Sequence, residues 1–179
     1  LSNTAWAFAS VGHASPELFV AISAMAVRRR LDNFNSQHLS NMAWAFATAG
    51  HASPELYKAI SAEAVRRRLD NFNPQDLSNM AWAFATAGHA SPELFNAISA
   101  EAVRRRLDNF NPQHLSNIAW AFATAGHASP ELYKAISAEV VRRRLDNFNP
   151  QDLSNMAWAF ATAGHASPEL FNAISAEAV

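Results

Sequence analysis

The sequence predicts an all-α fold, a right-handed α-solenoid superhelix of stacked antiparallel helical hairpins. Glycine and tryptophan recur every 38 residues along the 179-residue chain, as the spacing from Gly50 to Gly88 illustrates. Self-similarity of this length is typical of solenoids, in which each repeat covers the apolar face of its neighbour. The chain is also half hydrophobic, with five Gly and no Cys. This composition favours helices and excludes disulfide frameworks and cysteine-based zinc sites.

Each repeat carries start and stop signals for two helices. In the third repeat, Asn73-Pro74 pairs an N-cap residue with a proline at the first helical position, and Gly88 suits a left-handed C′ position. We therefore expect helix A at about 74–87. Ser91-Pro92 repeats the start signal, and the following arginines favour the end of a helix. Helix B is expected at about 92–107, and the short connections make A and B antiparallel neighbours.

The whole chain is expected to form one helical-repeat array without a separate domain. The repeats are 1–38, 39–76, 77–114, 115–152 and a partial 153–179. The second and third repeats differ at three pairs of positions, Tyr57/Phe95, Lys58/Asn96 and Asp76/His114. The second and third repeats occur again, nearly unchanged, in the residues that follow them, so the array is a duplicated block of two repeats. Such near-identity leaves open a consensus or designed array without an evolved target.

The face of helix A opposite its apolar stripe holds the candidate base-reading residues. At about 100° per residue, Gln75, Asn79, Thr86 and, further round, Asp76 gather there. Trp82 lies at the border, where packing between repeats is favoured over base stacking. The third residue of helix A alternates between histidine and aspartate, and an asparagine follows one turn later. These candidates are His38, Asp76, His114 and Asp152, with Asn41, Asn79, Asn117 and Asn155.

An amide presents a donor and an acceptor to a base edge, and a neighbouring Asp or His changes the groups available. The alternation therefore predicts a preference for a dinucleotide pattern. It has another explanation, because an acid near a helix N-terminus is favourable by itself and a duplicated block preserves neutral differences. Both explanations stay open at the level of sequence.

Positive charge is concentrated in four arginine triplets. They hold all twelve arginines of the chain, whose formal net charge is −1. A near-neutral chain argues against a uniformly basic, nonspecific nucleic-acid binder. The last arginine of each triplet is a candidate contact for a nucleic-acid backbone, although helix-dipole and solubility roles also explain the triplets. These candidates are Arg30, Arg68, Arg106 and Arg144.

The remaining polar residues suggest no chemistry of their own. The histidine after each C′ glycine, such as His89, is expected to be structural, with its imidazole near the last helical carbonyls. Periodic carboxylates such as Glu93 and Glu101 indicate a solvated face rather than a converging pocket. We therefore expect no catalytic activity, cofactor or metal. A monomer without a membrane segment or a small-molecule substrate is expected as well.

A 38-residue hairpin with "LSNMAWAFATAG" in helix A and "SPELF" at the start of helix B resembles the octotricopeptide repeat family. "SPEL" matches the "PPPEWL" signature of such repeats only in part. The resemblance implies single-stranded RNA binding, about one nucleotide per repeat, in organellar RNA stabilisation, processing or translation. It also implies a chloroplast or mitochondrial location. The rival interpretation is a solenoid scaffold for protein partners, which the near-neutral charge favours.

Overall fold

The computed structural model describes residues 1–13, 15–145 and 147–177, and within these ranges it contains ten helices and no strand. The helices A are α1 (Ser2–Ser10), α3 (Ser36–Thr48), α5 (Pro74–Thr86), α7 (Pro112–Thr124) and α9 (Pro150–Thr162). The helices B are α2 (Pro16–Arg28), α4 (Pro54–Arg66), α6 (Pro92–Arg104), α8 (Pro130–Arg142) and α10 (Pro168–Glu177). Each helix packs against its counterparts in adjacent repeats. The prediction of an all-α helical-repeat solenoid is confirmed, and its handedness stays a prediction.

Helix A begins and ends as the local sequence predicts. In α5 the Asn73 side chain accepts a hydrogen bond of 2.8 Å from the Asp76 amide, and Pro74 occupies the first turn. At the other end Gly88 has φ +69°. The His89 amide donates to the Phe84 carbonyl at 2.9 Å and the Gly88 amide donates to that of Ala85. These two bonds form a Schellman motif, which satisfies carbonyls that the helix leaves free.

Helix B is three residues shorter than predicted. It ends at Arg104 because Arg106 and Leu107 adopt left-handed backbone conformations, with φ of 56° and 57°. This conformation is unfavourable for residues with a Cβ atom. Leu107 is 1% exposed, so the turn places an apolar side chain in the core. Local propensity favours a longer helix across the arginines, and burial of the leucine overrides it.

The core runs continuously through the array between the two layers of helices. Leu94, Phe95, Ile98 and Ala102 form the apolar stripe of helix B, and all four side chains are fully buried. Helices A of adjacent repeats contact each other along much of their lengths, whereas helices B contact each other less closely. The more closely spaced layer lies on the inside of a curved stack, so we place helices A on the inner surface. No helix within the described ranges is long and apolar enough to cross a bilayer.

Candidate functional site

Four positions on each of α3, α5, α7 and α9 stay accessible along the inner surface. In α5 they are Gln75, Asn79, Trp82 and Thr86, which lie within about 60° of one another around the helix axis. We call these positions the inner stripe. The stripe recurs as Gln37, Asn41, Trp44 and Thr48, as Gln113, Asn117, Trp120 and Thr124, and as Gln151, Asn155, Trp158 and Thr162. All of its side chains are uncharged, so it offers hydrogen bonds and aromatic surface rather than electrostatic attraction.

The tryptophans of the inner stripe, together with Trp6 of α1, form a continuous line, which we call the Trp row. Its members are Trp6, Trp44, Trp82, Trp120 and Trp158. Ring centroids of adjacent members are separated by 6.3 to 6.5 Å, and the planes are inclined by 30° to 36°. The central rings are half-buried, whereas Trp6 is 47% exposed and Trp158 is 46% exposed. The rings thus pack between repeats, as predicted, and also remain partly accessible.

The asparagines of the inner stripe supply hydrogen-bonding groups along the same surface. Asn41, Asn79 and Asn117 are half-buried, and their amides make no hydrogen bond to another side chain or backbone group within the described ranges. Asn155 differs, because its Oδ1 accepts a 2.9 Å hydrogen bond from Gln151 Nε2. The predicted asparagine positions therefore lie in one row, and three of them keep their donors and acceptors for an external group.

The aspartates do not share this accessible surface. Asp76 is 3% exposed; its Oδ1 accepts a hydrogen bond of 3.0 Å from Ser40 Oγ, and its Oδ2 accepts one of 3.3 Å from the Asn73 amide. Asp152 is 6% exposed, and burial raises the pKa of its carboxyl. The prediction that aspartate lies on the polar face is wrong, because helix A of the preceding repeat covers that side. Contact of Asp76 and Asp152 with a base gains no support from this geometry.

The histidines at the same helical position remain half-exposed. Nδ1 of His38 accepts a hydrogen bond of 3.3 Å from the Asn35 amide, and Nδ1 of His114 accepts one of 3.2 Å from the Asn111 amide. An accepting Nδ1 is unprotonated, so Nε2 carries the proton in the neutral ring. Burial lowers the pKa of His114, which favours this neutral form. Histidine and aspartate thus perform the same capping task, and histidine retains a donor for other contacts.

The three arginines of a triplet make different contacts. Arg104 is 64% exposed and lies 2.6 Å from the buried carboxylate of Glu101. Arg105 also contacts Glu101, at 2.5 Å, and donates to the Phe72 and Leu69 carbonyls of the preceding repeat at 2.5 and 3.2 Å. The second arginine therefore connects adjacent repeats.

The third arginine of each triplet is the one that the sequence proposed for a nucleic-acid backbone. The side chains of Arg30, Arg68, Arg106 and Arg144 are exposed and make no hydrogen bond or ion pair within the described ranges. In the first repeat the second arginine, Arg29, lines one recess together with Asn3 and His38, so the arginine loop lies near this end of helix A. The third arginine follows directly in the same loop, and its guanidinium group is exposed.

The histidine after each C′ glycine is structural in a different way from the one predicted. Its backbone amide, rather than its imidazole, caps helix A. The imidazole of His89 stacks on Tyr57 of the preceding helix B at 4.7 Å, and His165 stacks on Tyr133 at 4.5 Å. No group of three or more His, Asp or Glu side chains within the described ranges is placed to hold a metal ion.

A comparison with protein families agrees with this helical-repeat architecture. The model of the RNA-editing substrate-binding complex 6 protein family, RESC6, matches residues 1–179. The chain belongs to the RESC6 family. No curated protein is significantly similar to it. Membership in RESC6 supports the broader expectation of an RNA-related helical-repeat protein, whereas the octotricopeptide assignment stays a prediction.

Sequence reasoning for this RESC6 chain found the asparagine row and undervalued the Trp row. Trp82 follows Asn79 by three residues, a spacing that places two side chains on the same side of a helix. That signal was present in the sequence. The position of Trp82 at the border of the apolar face favoured packing between repeats over base stacking, and only the packed array shows that part of each ring stays accessible.

Proposed function

We propose that this RESC6-family chain binds single-stranded RNA along the inner stripe, with about one nucleotide opposite each repeat. The observation that carries the proposal is the row of accessible amides at Asn41, Asn79 and Asn117, which have no hydrogen-bond partner within the described ranges. Unpaired RNA exposes base edges that amides recognise, and one-base-per-repeat recognition is known among helical repeat proteins. The family description, which names an RNA-editing substrate-binding complex, supports RNA as the ligand and protein assembly as its setting.

The proposed contacts divide among three kinds of side chain. The asparagines meet base edges, and the Nε2–H groups of His38 and His114 add a donor in alternate repeats. An alternating preference then follows from the presence of histidine in every second repeat rather than from a contact with aspartate. The third arginines contact phosphates at the edge of the stripe. This is a binding role without catalysis, in an organellar RNA process of stabilisation, processing or translation.

The asparagine row is tested by a matched pair of substitutions. Fluorescently labelled RNA selected from a random single-stranded pool is titrated with wild type, Asn79→Ala and Asn172→Ala. Asn172 is exposed on helix B and lies outside the inner stripe. We expect Asn79→Ala to weaken binding by about tenfold and to relax the preference at one base, since a good base contact is worth about 1 to 3 kcal/mol. Asn172→Ala is expected to bind like wild type. Equal losses of affinity in the two variants would contradict the proposal. Absence of RNA binding by the wild type would contradict it as well.

The arginine contacts are tested by salt dependence. Four phosphate contacts predict a slope of about −3 in log K against log salt, from about −0.7 per contact with a single strand. Arg106→Gln should reduce the magnitude of this slope by about 0.7. Arg104→Gln changes an arginine that pairs with Glu101 and should leave the slope nearly unchanged. A slope near zero would contradict backbone contact.

A second candidate function is a scaffold for protein partners. Similar clefts lie between adjacent helices B on the outer surface, and one is lined by Tyr57, Lys58, Val65, His89 and Glu93. The near-neutral net charge and the family description of a complex favour this role. If the wild-type chain does not bind RNA but binds a purified protein partner, the scaffold role is favoured.

A further inference from the structure

The Trp row offers an aromatic surface that hydrogen bonding by asparagine does not use. One ring is present in each repeat, and adjacent centroids are 6.3 to 6.5 Å apart along all five members. We infer that the Trp row is a stacking track that accepts one nucleobase per repeat and selects strands whose bases separate readily. This inference rests on the proposed function and specifies the form of RNA that the inner stripe accepts.

The spacing of the rings determines the form of the strand. Successive bases of a stacked strand rise by about 3.4 Å, roughly half the distance between adjacent rings. A strand that keeps its own base stacking therefore cannot place successive bases on successive tryptophans. An extended strand can do so, because each base then exchanges contact with its neighbour for contact with an indole ring.

The surroundings of each ring suit a base rather than an ion. Asn79 precedes Trp82 by three residues, so its amide lies beside the ring on the inner stripe. The indole can cover the face of a base while the amide meets its edge. All residues of the stripe are uncharged, and stacking on an aromatic side chain tolerates every base. The Trp row therefore supplies affinity along the strand, and the asparagines and histidines supply the discrimination.

This division predicts which nucleic acids bind. Adenosine strands stack strongly on themselves and must lose those contacts, whereas pyrimidine strands have little stacking to lose. A mixed pyrimidine oligonucleotide should bind more tightly than an adenosine oligonucleotide of equal length. A blunt RNA duplex should not compete, because its bases stay stacked and paired.

The decisive experiment compares two sets of substitutions at the three central rings. Trp44, Trp82 and Trp120 are replaced together by phenylalanine in one variant and by leucine in another. Binding of a labelled mixed pyrimidine oligonucleotide is measured by fluorescence anisotropy, and folding is checked by circular dichroism. The leucine variant should bind at least about tenfold more weakly, equivalent to about 1.4 kcal/mol. The phenylalanine variant keeps a stacking face and should bind within about threefold of wild type.

A terminal substitution provides a test if the leucine variant is unstable. Trp158 is 46% exposed, so Trp158→Leu should leave folding intact while reducing affinity several-fold. If the wild type binds RNA and the leucine substitutions do not weaken that binding, the stacking track is overturned and the proposed function stands. Equal affinity for the duplex would overturn both the stacking track and single-strand recognition. Absence of RNA binding by the wild type would overturn both.

Discussion

At the residue scale, one buried carboxylate organises the junction between two repeats. Glu101 is 6% exposed and accepts hydrogen bonds from Arg104 and Arg105 at 2.5 to 2.8 Å. Arg105 extends onward to the Phe72 carbonyl in the preceding repeat. The carboxylate fixes the guanidinium group that makes the inter-repeat hydrogen bond. A substitution of Glu101 should therefore weaken the interface between the two repeats.

We therefore predict that Glu101→Gln lowers the free energy of unfolding by about 1 to 2 kcal/mol. The substitution removes an acceptor that two arginines share and leaves Arg105 without its carboxylate, while exposure of Arg104 limits the loss. Urea unfolding followed by circular dichroism measures the change. Glu93→Gln is the control, because Glu93 is exposed on the same helix, and its effect should stay within about 0.5 kcal/mol. Equal losses in the two variants would count against the junction.

The same carboxylates predict a dependence of stability on pH. Hydrogen bonds from arginine lower the pKa of Glu63, Glu101 and Glu139 below the ordinary value of a glutamate side chain. A lowered folded-state pKa means that the unfolded chain binds more protons in this range, so stability falls as the pH drops below about 4.5. Urea midpoints measured from pH 7 down to pH 3 should show this decline, with a shallower slope in Glu101→Gln. An unchanged slope in that variant would contradict the assignment to Glu101.

At the element scale, the alternation between histidine and aspartate concerns the N-terminus of helix A. Both residues accept the amide hydrogen of the N-cap asparagine, and this bond completes a capping box. Asp76 also accepts a hydrogen bond from the Ser40 hydroxyl and places a negative charge in the first turn. Ser78 is the counterpart of Ser40 for His114. Within the described ranges its Oγ donates to the Gln75 carbonyl, and His114 accepts no hydrogen bond from it.

The comparison predicts that His114→Asp stabilises the array by about 0.5 to 1 kcal/mol. An aspartate there should keep the capping bond, gain a favourable interaction with the helix dipole and attract the Ser78 hydroxyl. Gln113→Glu separates these effects, because it adds charge at the preceding exposed position without the capping geometry. The urea midpoint should rise more in His114→Asp than in Gln113→Glu. A fall in the midpoint of His114→Asp would show that histidine contributes packing that aspartate cannot replace.

At the scale of the whole molecule, stability should come from the number of interfaces between repeats. Residues 77–103 and 153–179 are identical in sequence, so a chain ending at Val103 has the same last repeat as the full chain and lacks one two-repeat block. We expect chain 1–103 to remain helical, with a lower urea midpoint and a smaller m-value, because fewer neighbouring surfaces are buried. Circular dichroism during urea unfolding checks both quantities. Identical midpoints and m-values for the two lengths would contradict stabilisation by neighbours.

The sequence by itself determined the repeat, the two helices of each repeat and most helix ends. These features depend on local chemistry, such as the cap at Asn73 and the left-handed glycine at Gly88, which a short segment carries wherever it lies. The 38-residue period then required that equivalent side chains form rows, so the asparagine row was predictable.

The tertiary structure alone decided which polar side chains stay accessible and where helix B ends. Asp76 is polar by sequence, yet helix A of the preceding repeat covers it, while the same kind of packing leaves part of Trp82 open. Burial of Leu107 holds a left-handed turn that local propensity disfavours. Each of these outcomes depends on a contact with another helix, and the energy of such a contact is absent from the sequence of any single repeat.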